Sequence, residues 1–95
     1  MPLVLEPSLE VPLRAWGLRV VTQGRPADHE LVAMGDDWAR LRACRLGGHG
    51  FRVLALAPDV PEDRAMLEPL AIVSAPTEAA VGEALAALAS GRRAG

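Results

Sequence analysis

From Phe51 to Ala57 the chain reads Phe-Arg-Val-Leu-Ala-Leu-Ala, apolar at every position but one. So short a run without alternation reads as a strand covered on both faces. It follows Leu46-Gly47-Gly48-His49-Gly50, where a glycine just past a helix supplies the left-handed residue that closes the last turn. Helix, glycine loop and buried strand together mark an α/β unit.

The same pattern extends in both directions. Leu18-Arg19-Val20-Val21-Thr22 is β-branched and apolar, and Gln23-Gly24-Arg25-Pro26 ends it with turn chemistry, so it reads as a first core strand. Between 28 and 46, Leu31, Met34, Trp38 and Leu41 recur at steps of three and four, which favours one helix capped by Asp28 and running to Leu46. Gly35 lies inside that span and costs a helix about 1 kcal/mol relative to Ala. The competing arrangement is a strand from Glu30 to Met34 with a helix starting after Asp36. Beyond Ala57, Asp59 and Glu62 with an intervening Pro61 suggest the cap of a short helix over Glu62 to Glu68, and Pro69 cannot continue it. Leu70-Ala71-Ile72-Val73-Ser74 is a second buried strand. Thr77 then caps a helix with Val81, Leu85 and Leu88 on its inner face, ending near Ser90 and Gly91, with Arg92 and Arg93 where positive charge offsets the helix dipole.

At the other end, Pro2, Pro7 and Pro12 interrupt the first seventeen residues, so this stretch is expected as an arm or edge strand. The alternation of strand and helix predicts one α/β domain over residues 1–95: a small sandwich of three to four mostly parallel strands with packed helices, and 91–95 as a flexible tail.

Composition narrows the function classes. Of 95 residues 51% are hydrophobic and 23% charged, an ordinary globular balance, while aromatics are 3%, so Leu, Val and Ala must fill the core. The net charge of -2 and the scarcity of aromatics argue against nucleic acid as a partner. All ten basic residues are Arg. The lone Cys44 leaves no internal disulfide, and no window is apolar enough for a membrane span or a signal peptide. The expectation is a cytoplasmic protein with no membrane partner.

Candidate chemistry is sparse. The Gly47–Gly50 loop runs from helix into strand, so it presents carbonyls where a phosphate-binding loop presents amides. Cys44 lies near a helix carboxyl end, where the dipole works against a thiolate. His29 and His49 are spaced like no zinc site. The acid pairs Asp36-Asp37 and Glu62-Asp63 fall at helix starts, where carboxylates are favoured. No catalytic residue, metal ligand or cofactor is therefore assigned. In a parallel sheet, ligands gather at the carboxyl ends of the strands. On this reading of the strands those ends hold Arg25, Asp59, Ser74 and Thr77, a possible crevice for an anion or nucleotide. The leading expectation is different: a short sheet leaves exposed edges, so the chain reads as a non-catalytic interaction or regulatory subunit, bound to a protein partner or to copies of itself through an edge strand or the first helix, with Trp16 and Trp38 as interface anchors.

Overall fold

Parallel strands need cover on both faces, because the helices that connect them lie above and below. The chain meets that need with side chains that are mostly small. The computed structural model describes residues 1–90. Its strands are β1 (Leu3–Val4), β2 (Leu31–Met34), β3 (Arg52–Ala55) and β4 (Leu70–Ile72), all parallel in the order β1-β2-β3-β4. The fold is thus the expected α/β sandwich, with four strands.

Register lines the side chains up in rows. Leu3, Val32, Val53 and Leu70 stand side by side, as do Val4, Ala33, Leu54 and Ala71 in the next row. The second row faces α1 (Glu10–Ala15) and α4 (Glu78–Ala89), against Leu13, Val81, Ala84 and Leu88. The first row faces α2 (Trp38–Leu46) and α3 (Arg64–Leu67), against Leu41 and Leu67. Two alanines in the α1/α4 row leave space for α4 to pack on the sheet, and the larger Leu-Val-Val-Leu row meets shorter helices.

The connection from β1 to β2 carries the least expected geometry. The β2–β3 and β3–β4 steps run in one direction across the sheet with helices on one face, so they share a hand. A direct β1–α1–β2 step in that direction over the opposite face would have the reverse hand, which parallel crossovers avoid. The chain instead leaves α1 on the outer side of β1, where Val21 pairs with Leu3 in parallel. Val4 N–H donates to Val21 O (2.8 Å) and Val21 N–H to Pro2 O (2.9 Å). Arg14 Nη2 holds the carbonyl of Val20 (3.0 Å). The chain then passes the amino end of β1, where His29 Nδ1 donates to Met1 O (3.1 Å), and enters β2.

Two expectations are corrected here. Residues 18–22 are not a core strand: only Val21 bridges, because its sole neighbour, β1, is two residues long. The span 28–46 is not one helix. Leu31–Met34 is a strand between β1 and β3, and α2 starts at Trp38 with Asp37 Oδ1 accepting from Arg40 N–H (3.2 Å). Met34, Trp38 and Leu41 do share one cluster, but Leu31 belongs to the opposite face, as strand alternation requires. Sheet pairing on both sides outweighs a helical stripe that Gly35 already weakens. The proline-rich start supplies the expected edge strand, β1, at the end of the strand order, and beyond it adds a 3-10 turn at Pro7–Leu9 and then α1, with Pro12 in the first helical turn, where a missing N–H leaves no bond unmade.

Both Gly17 and Gly48 close helices. Each has positive φ (83° and 84°), and each is flanked by the paired bonds of a Schellman cap. After α2 these are Gly48 N–H to Arg45 O (3.0 Å) and His49 N–H to Cys44 O (3.1 Å), and after α1 Gly17 N–H to Arg14 O (3.0 Å) and Leu18 N–H to Leu13 O (3.1 Å). The cap after α2 was legible in the sequence. The α4 helix and its Thr77 cap also form as expected, with Thr77 Oγ1 accepting from Ala80 N–H (3.1 Å). The expected tail at 91–95, with Arg92 and Arg93, lies outside the described residues.

Arg45 binds three segments at once. Its guanidinium donates to Leu67 O (3.0 Å) at the end of α3, to Pro69 O (3.1 Å) before β4 and to His49 O (2.7 Å) before β3, and it lies 4.9 Å over the Phe51 ring. Burial pushes its pKa down from the usual arginine value. Pro69 O accepts from Val53 N–H as well (3.0 Å), so the same carbonyl joins α2 to the β3–β4 ladder. Arg45→Ala should cost about 2 kcal/mol, the scale of losing charge-assisted bonds to carbonyls. Urea unfolding measures it, with Arg45→Lys recovering only part because an ammonium lacks the planar fork.

Arg42 and Asp63 form a two-pronged ion pair between α2 and α3, at 2.6 and 2.9 Å. That hydrogen bond holds the Asp63 carboxyl below its usual range. The unfolded chain therefore takes up this proton more readily than the folded one. The pair's contribution is complete above the ordinary carboxylate pKa, about 3.9, and fades as pH falls through the lower folded value. The stability difference between the native chain and Asp63→Asn should thus be present at neutral pH and shrink below about pH 4, as followed by chemical denaturation across pH.

Candidate functional site

The residues expected to share a crevice do not converge. Arg25 precedes the 3-10 turn Pro26–Asp28, is exposed, and pairs with Asp28 (3.1 Å). Asp28 lines a hollow with Met1, Leu31 and Arg52, which begin or precede β1, β2 and β3, so Arg25 sits at the amino-terminal end of the sheet. Asp59 and Ser74 follow the last residues of β3 and β4 at the opposite end. The assignment of Arg25 to a strand's carboxyl end depended on residues 18–22 forming a full strand, and they do not.

At the carboxyl end the acids have other occupations. Glu6, after β1, accepts from Gly35 N–H (3.2 Å), which ties the ends of β1 and β2 together. Asp37 caps α2. Thr77 is occupied by its own cap, and Asp59 is exposed without capping α3, whose N-cap position is taken by Asp63. Among the described residues no group of three or more His, Cys, Asp or Glu side chains converges as a metal site. Cys44 is half-buried against the cluster under α2, and His49 lies beyond the helix end with its carbonyl held by Arg45.

Trp16 and Trp38 sit on opposite faces of the sheet. Each is half-buried at the margin of its cluster, Trp16 with the α1/α4 layer and Trp38 with the α2/α3 layer. One surface cannot use both as anchors.

Two surface hollows carry no motif in the sequence, although an open sheet edge, which walls the second of them, is expected of so short a sheet. Between α2 and α3, Leu46 (85% exposed) and Met66 (74%) flank a small apolar hollow of about 190 Å³ beside Arg42 and Asp63. That is below the roughly 300 Å³ at which small-molecule pockets begin. The second is a groove of about 420 Å³ along β4 and α4, lined by Ile72, Ser74, Ala80, Glu83, Ala84 and Ala87. Of the expected site residues only Ser74 lies in it.

Its wall is a sheet edge. In the β3–β4 ladder, Val53 N–H donates to Pro69 O and Val73 N–H to Ala55 O. Parallel pairing alternates, so Ala71 directs both its backbone groups at β3, while those of Leu70 and Ile72 point away from it. The two sheet edges therefore differ: Val21 occupies the outer side of β1, and no described strand pairs with the outer side of β4. The residues that define this edge are ordinary apolar strand residues, and its only local signal was the placement of Leu70–Ile72 last in a parallel series.

Comparisons with protein-family models, curated proteins and solved structures find no match to this chain. No helix among the described residues is long and apolar enough to cross a membrane.

Proposed function

We propose that this protein is a non-catalytic interaction module that takes up an extended segment of a partner protein at the outer edge of β4. The observation that carries the reading is the asymmetry of the sheet. An uncovered edge is a template for pairing, and proteins ordinarily blunt it. Here Pro69 and the shortness of β4 limit the edge to Leu70–Ile72, enough for a docked segment and too little for extended aggregation. In strand addition, main-chain bonds supply affinity, and pockets for alternate side chains supply selectivity. The groove beside α4 offers such a pocket. The alternative reading, an anion or nucleotide site at the strand ends, loses its cation to the opposite end of the sheet.

Amide hydrogen exchange tests this without a known partner. In the free protein the Ile72 amide should exchange faster than that of Ala71, which is paired to β3. Peptides selected from a random display library on the full chain should then slow exchange at both Leu70 and Ile72. Ile72→Pro removes an outward N–H that the fold does not use, so it should weaken those peptides at least about tenfold, with thermal unfolding checking that the domain persists. Selected peptides that instead protect amides on α2 and α3 would refute docking at the edge.

A further inference from the structure

Resting on that reading, we infer that the segment docked at β4 carries a basic residue beside small or β-branched apolar ones. Three features of the groove specify this chemistry. The wall presents the outward N–H and C=O groups of Leu70 and Ile72, so the occupant must be extended and must offer its own main chain in register. The floor is Ala80, Ala84 and Ala87, and none of these side chains extends past Cβ. A partner residue turned toward α4 therefore meets space and apolar surface, which suits Val, Ile or Thr. The third feature is charge.

Glu83 is the one charged side chain lining the groove. It is exposed and forms no ion pair among the described residues. The only other charged residue of α4 is Glu78, also an acid. A carboxylate at the rim of an otherwise neutral channel favours Lys or Arg on the occupant and penalises Asp or Glu, and so sets selectivity more than affinity.

The same charge argues against a second copy as occupant. A two-fold pairing of β4 with β4 would set two α4 helices side by side on one face, acid against acid, with no basic residue of α4 to offset them. A foreign basic segment meets no such repulsion.

The test is peptide selection run in parallel on the native chain and on Glu83→Lys. Native selections should enrich Lys or Arg at one position of an apolar, β-branched stretch, and Glu83→Lys selections should enrich Asp or Glu there. For a native-selected peptide, Glu83→Gln should weaken binding about two- to fivefold at low salt, as expected of an exposed ion pair, with the difference vanishing at high salt. Peptides that protect the Leu70 and Ile72 amides but show no basic preference and bind Glu83→Gln equally well would overturn the charge rule and leave strand addition standing. Peptides that bind without protecting those amides would overturn strand addition itself. A native dimer by light scattering that Ile72→Pro converts to a folded monomer would assign the edge to a second copy and overturn the basic-segment proposal.

Discussion

Everything in this domain follows from burying a parallel sheet on both faces with few large side chains. Val32, Val53, Ala55 and Ala71 are all fully buried at 0% exposure, and the only aromatic of the buried core is Phe51. With so little aromatic volume, the helices must pack on Leu, Val and Ala, and register has to put large residues where a short helix leaves room. The rows Leu-Val-Val-Leu and Val-Ala-Leu-Ala do that. The two-faced requirement also explains the detour between β1 and β2: α1 is needed on the α4 face, and the chain turns around the amino end of β1 to reach β2 without a crossover of the wrong hand.

Packing alone does not hold the α2/α3 face. That layer has one buried residue from α2, Leu41, and one from α3, Leu67. Polar fastening supplements it. Arg45 reaches the carbonyls at the end of α3 and at the entry to β4, and Arg42 joins α2 to Asp63 at the start of α3. A four-residue helix cannot be stable by its own hydrogen bonds. These two arginines, on adjacent turns of α2, are what position α3 and through it the first residue of β4. Among the described residues no buried side-chain nitrogen or oxygen lacks a partner, so this fastening adds no orphaned group.

The position of β4 bears directly on the proposed role. A strand held at its entry by Arg45 and on one side by β3 presents a preformed edge, so a docking segment pays ordering entropy mainly for itself. The α4 helix contributes through what it lacks: alanines along the groove keep its backbone close to the edge, and Glu83 is the one charge on the channel. The opposite edge is closed by Val21 and guarded by Pro2, which offers no N–H to a further strand.

Local chemistry is what could be read from the sequence. The strands at 51–57 and 70–74 hold their cores at Arg52–Ala55 and Leu70–Ile72, the glycine cap follows α2, and Thr77 opens α4, because each rests on residues a few positions apart. The competing arrangement places the start of α2 at Asp36, one residue before Asp37, which caps it. The remainder depended on distant partners. Leu31–Met34 is a strand because β1 and β3 lie on either side of it, and Leu18–Thr22 is not one because β1 offers a single place to pair. Arg25 falls at the far end of the sheet for the same reason. Glu83 had a faint signal, as an acid within an alanine-rich helix, but its meaning arises only where α4 passes the open edge of β4. By itself the sequence determined the α/β class, two buried strands, the glycine cap after α2 and the Thr77 cap of α4, since caps and short apolar runs act over one turn. Strand order, which edge stays open and what lines it were decided by tertiary structure, since sheet pairing joins residues that no local pattern connects.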